Sequence, residues 1–190
     1  MIFEELNERI SAVQELLSTD TVQSRISQVA ALRVQAEYKN RVFVEGRTSD
    51  GSPIGQYSTK PFYQNPNALI GVSSSGVKPK GKNGRSRFKS GKPKKTRYLP
   101  QGYKELRELT GRQSETVDLN FSGSLERSVR VVQLENQAFV RFTVASEIEK
   151  IEANERRFGV DIITASDEER EAGIEAARAE LQFILESLDQ

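Results

Sequence analysis

Thr116–Ala145, TVDLNFSGSLERSVRVVQLENQAFVRFTVA, decides the fold class. Its first residues alternate. Val117, Leu119 and Phe121 fall between Thr116, Asp118, Asn120 and Ser122, the period of two that puts side chains on opposite faces of a half-buried strand. Beyond Gly123 the apolar residues continue over Leu125–Leu134 and Ala138–Ala145, parted by Glu135-Asn136-Gln137, which suits a tight hairpin connection. Val140, Phe142 and Val144 give the last strand its inner face. The slip at Val131-Val132 predicts either a bulge or a strand covered on both faces. A small antiparallel sheet of 3–4 strands is therefore expected.

The flanks read as helix, which makes the class α+β. Downstream, Glu147–Arg157 is a short charged helix ended by Phe158-Gly159. Ser166-Asp167-Glu168-Glu169 has the form of a capping box. The helix it opens runs to the C-terminal end, with Ile174, Ala177, Leu181, Ile184, Leu185 and Leu188 on one face. Phe183 projects from nearly the opposite side, as a second contact or an exposed ring. Upstream, Tyr103–Thr110 is helical and stopped by Gly111. Near the N-terminal end, Phe3, Leu6, Ile10, Val13 and Leu17 form one stripe. Thr19-Asp20-Thr21 offers N-cap chemistry, and a second helix over about 21–44 carries Val22, Ile26, Val29, Leu32, Ala36 and Phe43. The pair is an αα-hairpin or one bent helix; burial within its own domain is the simpler reading, a partner-binding helix the other.

Between these parts the period dissolves. Asp50-Gly51 and Ser52-Pro53 are turn signals. Further on, Lys78, Lys80, Lys82, Arg85, Arg87, Lys89, Lys92, Lys94, Lys95 and Arg97 follow one another with no acidic residue among them. A segment so poor in apolar side chains cannot order itself by burial. Long irregular segments in small chains are nevertheless usually functional. Tyr57, Phe62, Tyr63, Phe88 and Tyr98 punctuate it and read as anchors that pin the arm to a surface, its own or a neighbour's. The expected organisation is N-terminal helices over 1–45, an extended Gly/Pro/Lys-rich arm over 46–102, and an α+β core with the C-terminal helix over 103–190, together one domain plus an arm.

The formal net charge of +1 conceals a partition. Residues 46–104 hold 13 basic and 1 acidic residue, whereas residues 146–190 hold 5 and 13. Such asymmetry speaks of partners or self-assembly rather than of fold. The chain has no Cys, His or Trp, which removes disulfides, zinc–thiolate sites and the Cys/His nucleophile–base pairs. Gly81–Ser86 lacks phosphate-loop spacing and Phe121–Ser128 lacks the G-x-S-x-G pattern. No catalytic residue, cofactor or metal is expected, and a Ser/Lys hydrolase is the weakest of the function classes. No apolar run reaches the length of a membrane span, and the acidic start MIFEELNERI is unlike a secretory signal. For the basic arm three roles stand open: binding phosphate backbone, neutralising an acidic face of a neighbouring subunit, or a solvated loop.

Several short motifs resemble those of one phage family. Val117–Val129, VDLNFSGSLERSV, is similar to a signature in which a strand enters a D-T-G-x-L-x-x-S turn, with Ser122, Gly123, Leu125 and Ser128 in the corresponding places and Ser122 where Thr is usual. A hairpin follows, then E-x-x-F-G at Glu155–Gly159 with Phe158 and Gly159, then a capped helix. Phe43–Pro53 resembles the element after the family's first long helix. The resemblance, over about 43–60 and 116–185, is to the tailed-phage virion-morphogenesis or tail-completion proteins of the head–tail connector (lambda Z-like and Mu G-like neck proteins). It implies a non-enzymatic structural protein of the virion neck, assembled in the host cytoplasm as a homo-oligomeric ring, a hexamer or dodecamer. Implied partners are portal, adaptor or tail proteins and genomic DNA in the lumen, with no membrane. Residues Lys78 to Arg97 would then face a subunit interface or DNA. The rival reading, from the arm alone, is a nucleic-acid-binding protein.

Overall fold

The computed structural model describes residues 11, 13–64, 97–120 and 122–187. In chain order the elements are α1 (Asp20–Lys39), a π-helical turn (Asn40–Glu45), β1 (Phe62–Gln64), β2 (Arg97–Leu99), α2 (Gly102–Leu109), α3 (Ser124–Ser128), β3 (Val129–Leu134), β4 (Gln137–Phe142), α4 (Ala145–Phe158) and α5 (Asp167–Glu186). They fall into two compact units, Met1–Ile54 with Asp118–Gln190, and Gly55–Val117. The α+β reading holds: helices are joined by antiparallel pairs, β1 with β2 and β3 with β4, in separate two-stranded sheets. Among the described residues every strand therefore has an open edge.

The larger unit is organised on α1. Thr19 caps it, its hydroxyl accepting from the Val22 N–H, with Asp20 in the first turn and Lys39 in the last as the helix dipole favours. Residues 13–18 are also helical; Phe3, Leu6 and Ile10 lie outside the described residues. At Asn40 the helix widens to a π turn, closed by Gly46 at φ +67°. The widening brings three successive residues, Arg41, Val42 and Phe43, into the interior.

α1 packs against both α5 and the β3–β4 hairpin. Gly173 of α5 allows the close helix contact: a Cβ there would lie 2.7 Å from Val34 Cγ2 and 3.5 Å from the Ala30 carbonyl oxygen. Register pairs Val129 with Phe142 and Val131 with Val140, and continues without a bulge to Leu134 opposite Gln137. Phe142 and the rest of its face turn to α1, where the Tyr38 ring stands edge-on to Phe142 at 6.1 Å and to Phe43 at 6.3 Å. Polar ties fix the hairpin to the helix, with Gln35 Nε2 donating to the Val129 carbonyl at 2.8 Å and Asn136 Nδ2 to Gln23 Oε1 at 2.6 Å.

Two expectations fail for local reasons, and a third holds in part. Residues 116–120 are not a strand: Leu119 sits at φ +51°, and Asp118 accepts from the Asn120 N–H at 2.9 Å, a turn contact that replaces ladder bonds. The run from Leu125 opens as helix α3 because Leu125 and Ser128, three apart, are both buried while Arg127 faces out. In the long helices the expected faces hold in large part: Phe43 and Ile184 are buried and Val22, Ile26, Val29, Ala177, Leu181 and Leu185 half-buried, whereas Leu32, Ala36 and Ile174 are exposed and Ala31, Tyr38 and Gly173 are interior beside them; Leu188 lies outside the described residues. The other side of α5 carries Phe183, exposed, with the Arg25 guanidinium 5.5 Å from its ring centroid.

In the smaller unit β1 and β2 pair through Phe62 with Leu99, Tyr63 with Tyr98 and Gln64 with Arg97. The Arg107 side chain is buried, lies 4.6 Å over the Tyr57 ring and donates to the Gln113 carbonyl at 2.5 Å. Gly102 opens α2 at φ +65°, and an added Cβ would meet the carbonyl oxygens of Lys60 at 2.5 Å and Ser58 at 2.6 Å. Those are backbone atoms that cannot rotate away. Left-handed backbone costs a substituted residue about 1–2 kcal/mol and overpacking a similar amount, so Gly102→Ala is expected to destabilise this unit by about 3 kcal/mol. Limited proteolysis with mapped cleavage sites checks it: new cuts are expected within Gly55–Val117, and an unchanged pattern refutes the contact.

Candidate functional site

The ribbon of β1 and β2 is where the chain enters and leaves the basic segment, since residues 65–96 join the two strands. Lys78, Lys80, Lys82, Arg85, Arg87, Lys89, Lys92, Lys94, Lys95 and the anchor Phe88 lie outside the described residues; Arg97 stands in β2 opposite Gln64. The remaining anchors divide. Tyr57 is half-buried, 5.4 Å from the Tyr103 ring. Phe62 is half-buried. Tyr63 and Tyr98 are directly opposite one another, their ring centroids 5.0 Å apart, and remain 61% and 51% exposed. Cross-strand aromatic pairs stabilise a ribbon this short, and their exposed faces remain available for contact.

The glycine turn of the motif is a helix entry. Gly123 has φ +74° and caps α3, Leu125 is buried, and the Ser128 hydroxyl donates to the Leu125 carbonyl at 2.6 Å. The Ser122 and Ser124 hydroxyl oxygens are 3.0 Å apart, and Ser124 donates to Glu147 Oε1 at 3.2 Å. Lys150 donates to that same oxygen at 2.6 Å, so its ammonium faces a carboxylate rather than a serine. Phe158 and Gly159 close α4, Gly159 at φ +69° with its N–H on the Glu155 carbonyl at 2.7 Å.

A buried ionic junction went unseen in the sequence. Arg41 Nε lies 2.5 Å from Glu169 Oε1, and the two side chains are 8% and 2% exposed. The guanidinium also donates to the carbonyls of Arg47, Ile162 and Thr164 at 3.2, 3.3 and 3.1 Å. Glu169 at the same time completes the capping box, its Oε2 accepting from the Ser166 N–H at 2.9 Å. One pair thus joins the π turn, the loop before α5 and the start of α5. Beside it is a cleft of about 500 Å³ to which Glu37, Glu45, Asp50, Asp167 and Glu168 contribute carboxylates.

The Asp50-Gly51 turn at the rim of this cleft is real: Arg47 bridges to Pro53, and Gly51, at φ +81°, donates its N–H to the Thr48 carbonyl at 3.0 Å. Hydrogen bonds from the Ser52 and Thr48 hydroxyls and the Ser52 N–H hold the Asp50 carboxyl down at about 2. Hydrogen bonds from Thr164 likewise lower Asp161. Because the folded value of Asp50 is depressed, its contribution to the turn is complete above the ordinary carboxylate range and is lost as pH falls through about 2. The Ser52 amide resonance is expected to titrate with that midpoint and to lose it in Asp50→Ala; a midpoint near 3.8 contradicts the contact.

Among the described residues there is no group of three acidic residues placed to hold a metal ion, and no helix is long and apolar enough to cross a membrane. No family model, no curated protein and no solved structure matches the chain.

Proposed function

We propose that the chain is a structural component of the tailed-phage virion neck that forms a homo-oligomeric ring at the head–tail connector and acts in tail completion or joining. One observation carries this reading: the partition of charge, 13 basic to 1 acidic over residues 46–104 against 5 to 13 over 146–190. In a chain of this size such blocks attract one another between copies, and contact between two different surfaces of one chain closes into a ring when the rotation permits. The motif resemblance supplies the setting. The open strand edges and the exposed Tyr63–Tyr98 pair supply contact surface suited to assembly. Portal, adaptor or tail proteins would be the neighbours along the axis, and genomic DNA would pass through the lumen. Immunogold labelling of purified virions tests the reading. Label is expected at the head–tail junction, and absence of the protein from virions contradicts it.

The second reading, nucleic-acid binding by Lys78–Arg97, is favoured by the exposed tyrosines at the root of that segment, since stacking on aromatic rings and phosphate pairing act together. A filter-binding titration against salt separates the two. Tight binding by the isolated monomer, steeply salt-dependent and lost on deleting residues 78–97, supports the second; weak binding of the monomer supports the neck protein.

A further inference from the structure

The hairpin presents a second face, turned away from α1. Along it Arg130 stands directly opposite Arg141 and Val132 directly opposite Phe139. Both arginines are exposed, and neither has a carboxylate partner among the described residues; the Arg141 guanidinium lies 5.0 Å over the Phe139 ring, which is itself 36% exposed. Like charges directly opposite one another across a ladder are destabilising, so the monomer carries this pair at a cost that an acidic partner would relieve. The apolar centre with a cationic edge also has the form of a docking face rather than a solvated one.

The complementary form lies on α5 of the same chain. There Ile174, 45% exposed, flanks the row formed by Glu171 and Glu175, one turn apart and both exposed. Glu171 has only a loose, exposed pairing with Arg178 at 3.8 Å, which water screens. Hairpin and α5 both pack on α1. We infer that the outer face of the β3–β4 hairpin of one copy docks on the Glu171–Ile174–Glu175 stripe of the next, with Phe139 and Val132 against Ile174 and the paired arginines against the two glutamates. Two different patches of one chain make a head-to-tail contact, the type that closes rings. This inference rests on the proposed ring and names one contact within it, beside the attraction between the basic and acidic blocks.

Charge exchange on the full chain tests it, with oligomeric state read by analytical ultracentrifugation and fold by circular dichroism. Arg130→Glu with Arg141→Glu and, separately, Glu171→Arg with Glu175→Arg are expected to abolish assembly; the exposed positions leave the fold intact. Mixing the two variants is expected to restore assembly, because every contact in an alternating ring is then complementary; so is a chain carrying all four changes. Wild-type assembly unaffected by either double variant overturns the surface while leaving the ring standing. A wild type that stays monomeric overturns both. If the arginine variant keeps its oligomeric state but loses retention on a phosphate polymer, the face belongs to nucleic acid and the inference fails.

Discussion

Glu169→Ala is expected to lower the stability of the larger unit by about 3–5 kcal/mol, the usual loss when one member of a buried ion pair is removed. The magnitude follows from what remains. Arg41 would keep its charge at 8% side-chain exposure with its one hydrogen-bonded carboxylate gone and Asp161 acting only across space. The Ser166 N–H would lose its acceptor at the start of α5. Glu169→Gln separates the two effects, because glutamine still serves in a capping box while the charge is gone. It is expected to fall between wild type and alanine. Replacing both partners with apolar side chains is not expected to be neutral here, since Arg41 also satisfies the carbonyls of Arg47, Ile162 and Thr164. Urea unfolding measures all three variants. An alanine variant within 1 kcal/mol of wild type, on the order of an exposed pair, contradicts the junction.

The second large effect is expected at the α1–α5 contact. Alanine in place of Gly173 gains about 1 kcal/mol of helix propensity, but its Cβ would overlap Val34 Cγ2 at 2.7 Å. Val34 has little rotamer freedom in a helix, so the helices themselves must separate. Gly173→Leu, with no compensating space, is expected to cost about 3 kcal/mol, at the upper end of overpacking penalties. Pairing Gly173→Ala with Val34→Ala removes the opposing methyl and is expected to recover more stability than the two single changes would together suggest. Strict additivity of the pair, measured by thermal or urea melts, refutes the contact.

What the sequence disclosed about the fold was local. Ser166 and Glu169 sit three apart and cap α5 as a pair; Gly111 and Gly159 end their helices at φ +68° and +69°; the Asp50-Gly51 turn and the hairpin at Glu135-Asn136 lie where their residue types direct. Each depends on atoms within a few positions of one another. The Arg41–Glu169 junction depends on residues 128 apart, and nothing in either neighbourhood marks them as partners. Arg41 gave one usable hint: a charge inside the run Arg41-Val42-Phe43, where a widened turn buries consecutive residues. Residues 116–120 misled because Asp118 and Asn120 look like the polar half of an alternating strand, whereas Asp118 binds the Asn120 N–H in a turn. The surface opposing Arg130 to Arg141 was equally hidden, since it exists only once the hairpin register is fixed.

The ring is the central claim, and the native mass of the assembled protein at low ionic strength tests it most directly. One discrete species at six or twelve times the 21.3 kDa chain is expected, giving way to monomer as salt screens the contacts between charged surfaces. Monomer at every concentration and salt, or an open-ended ladder of sizes, contradicts it.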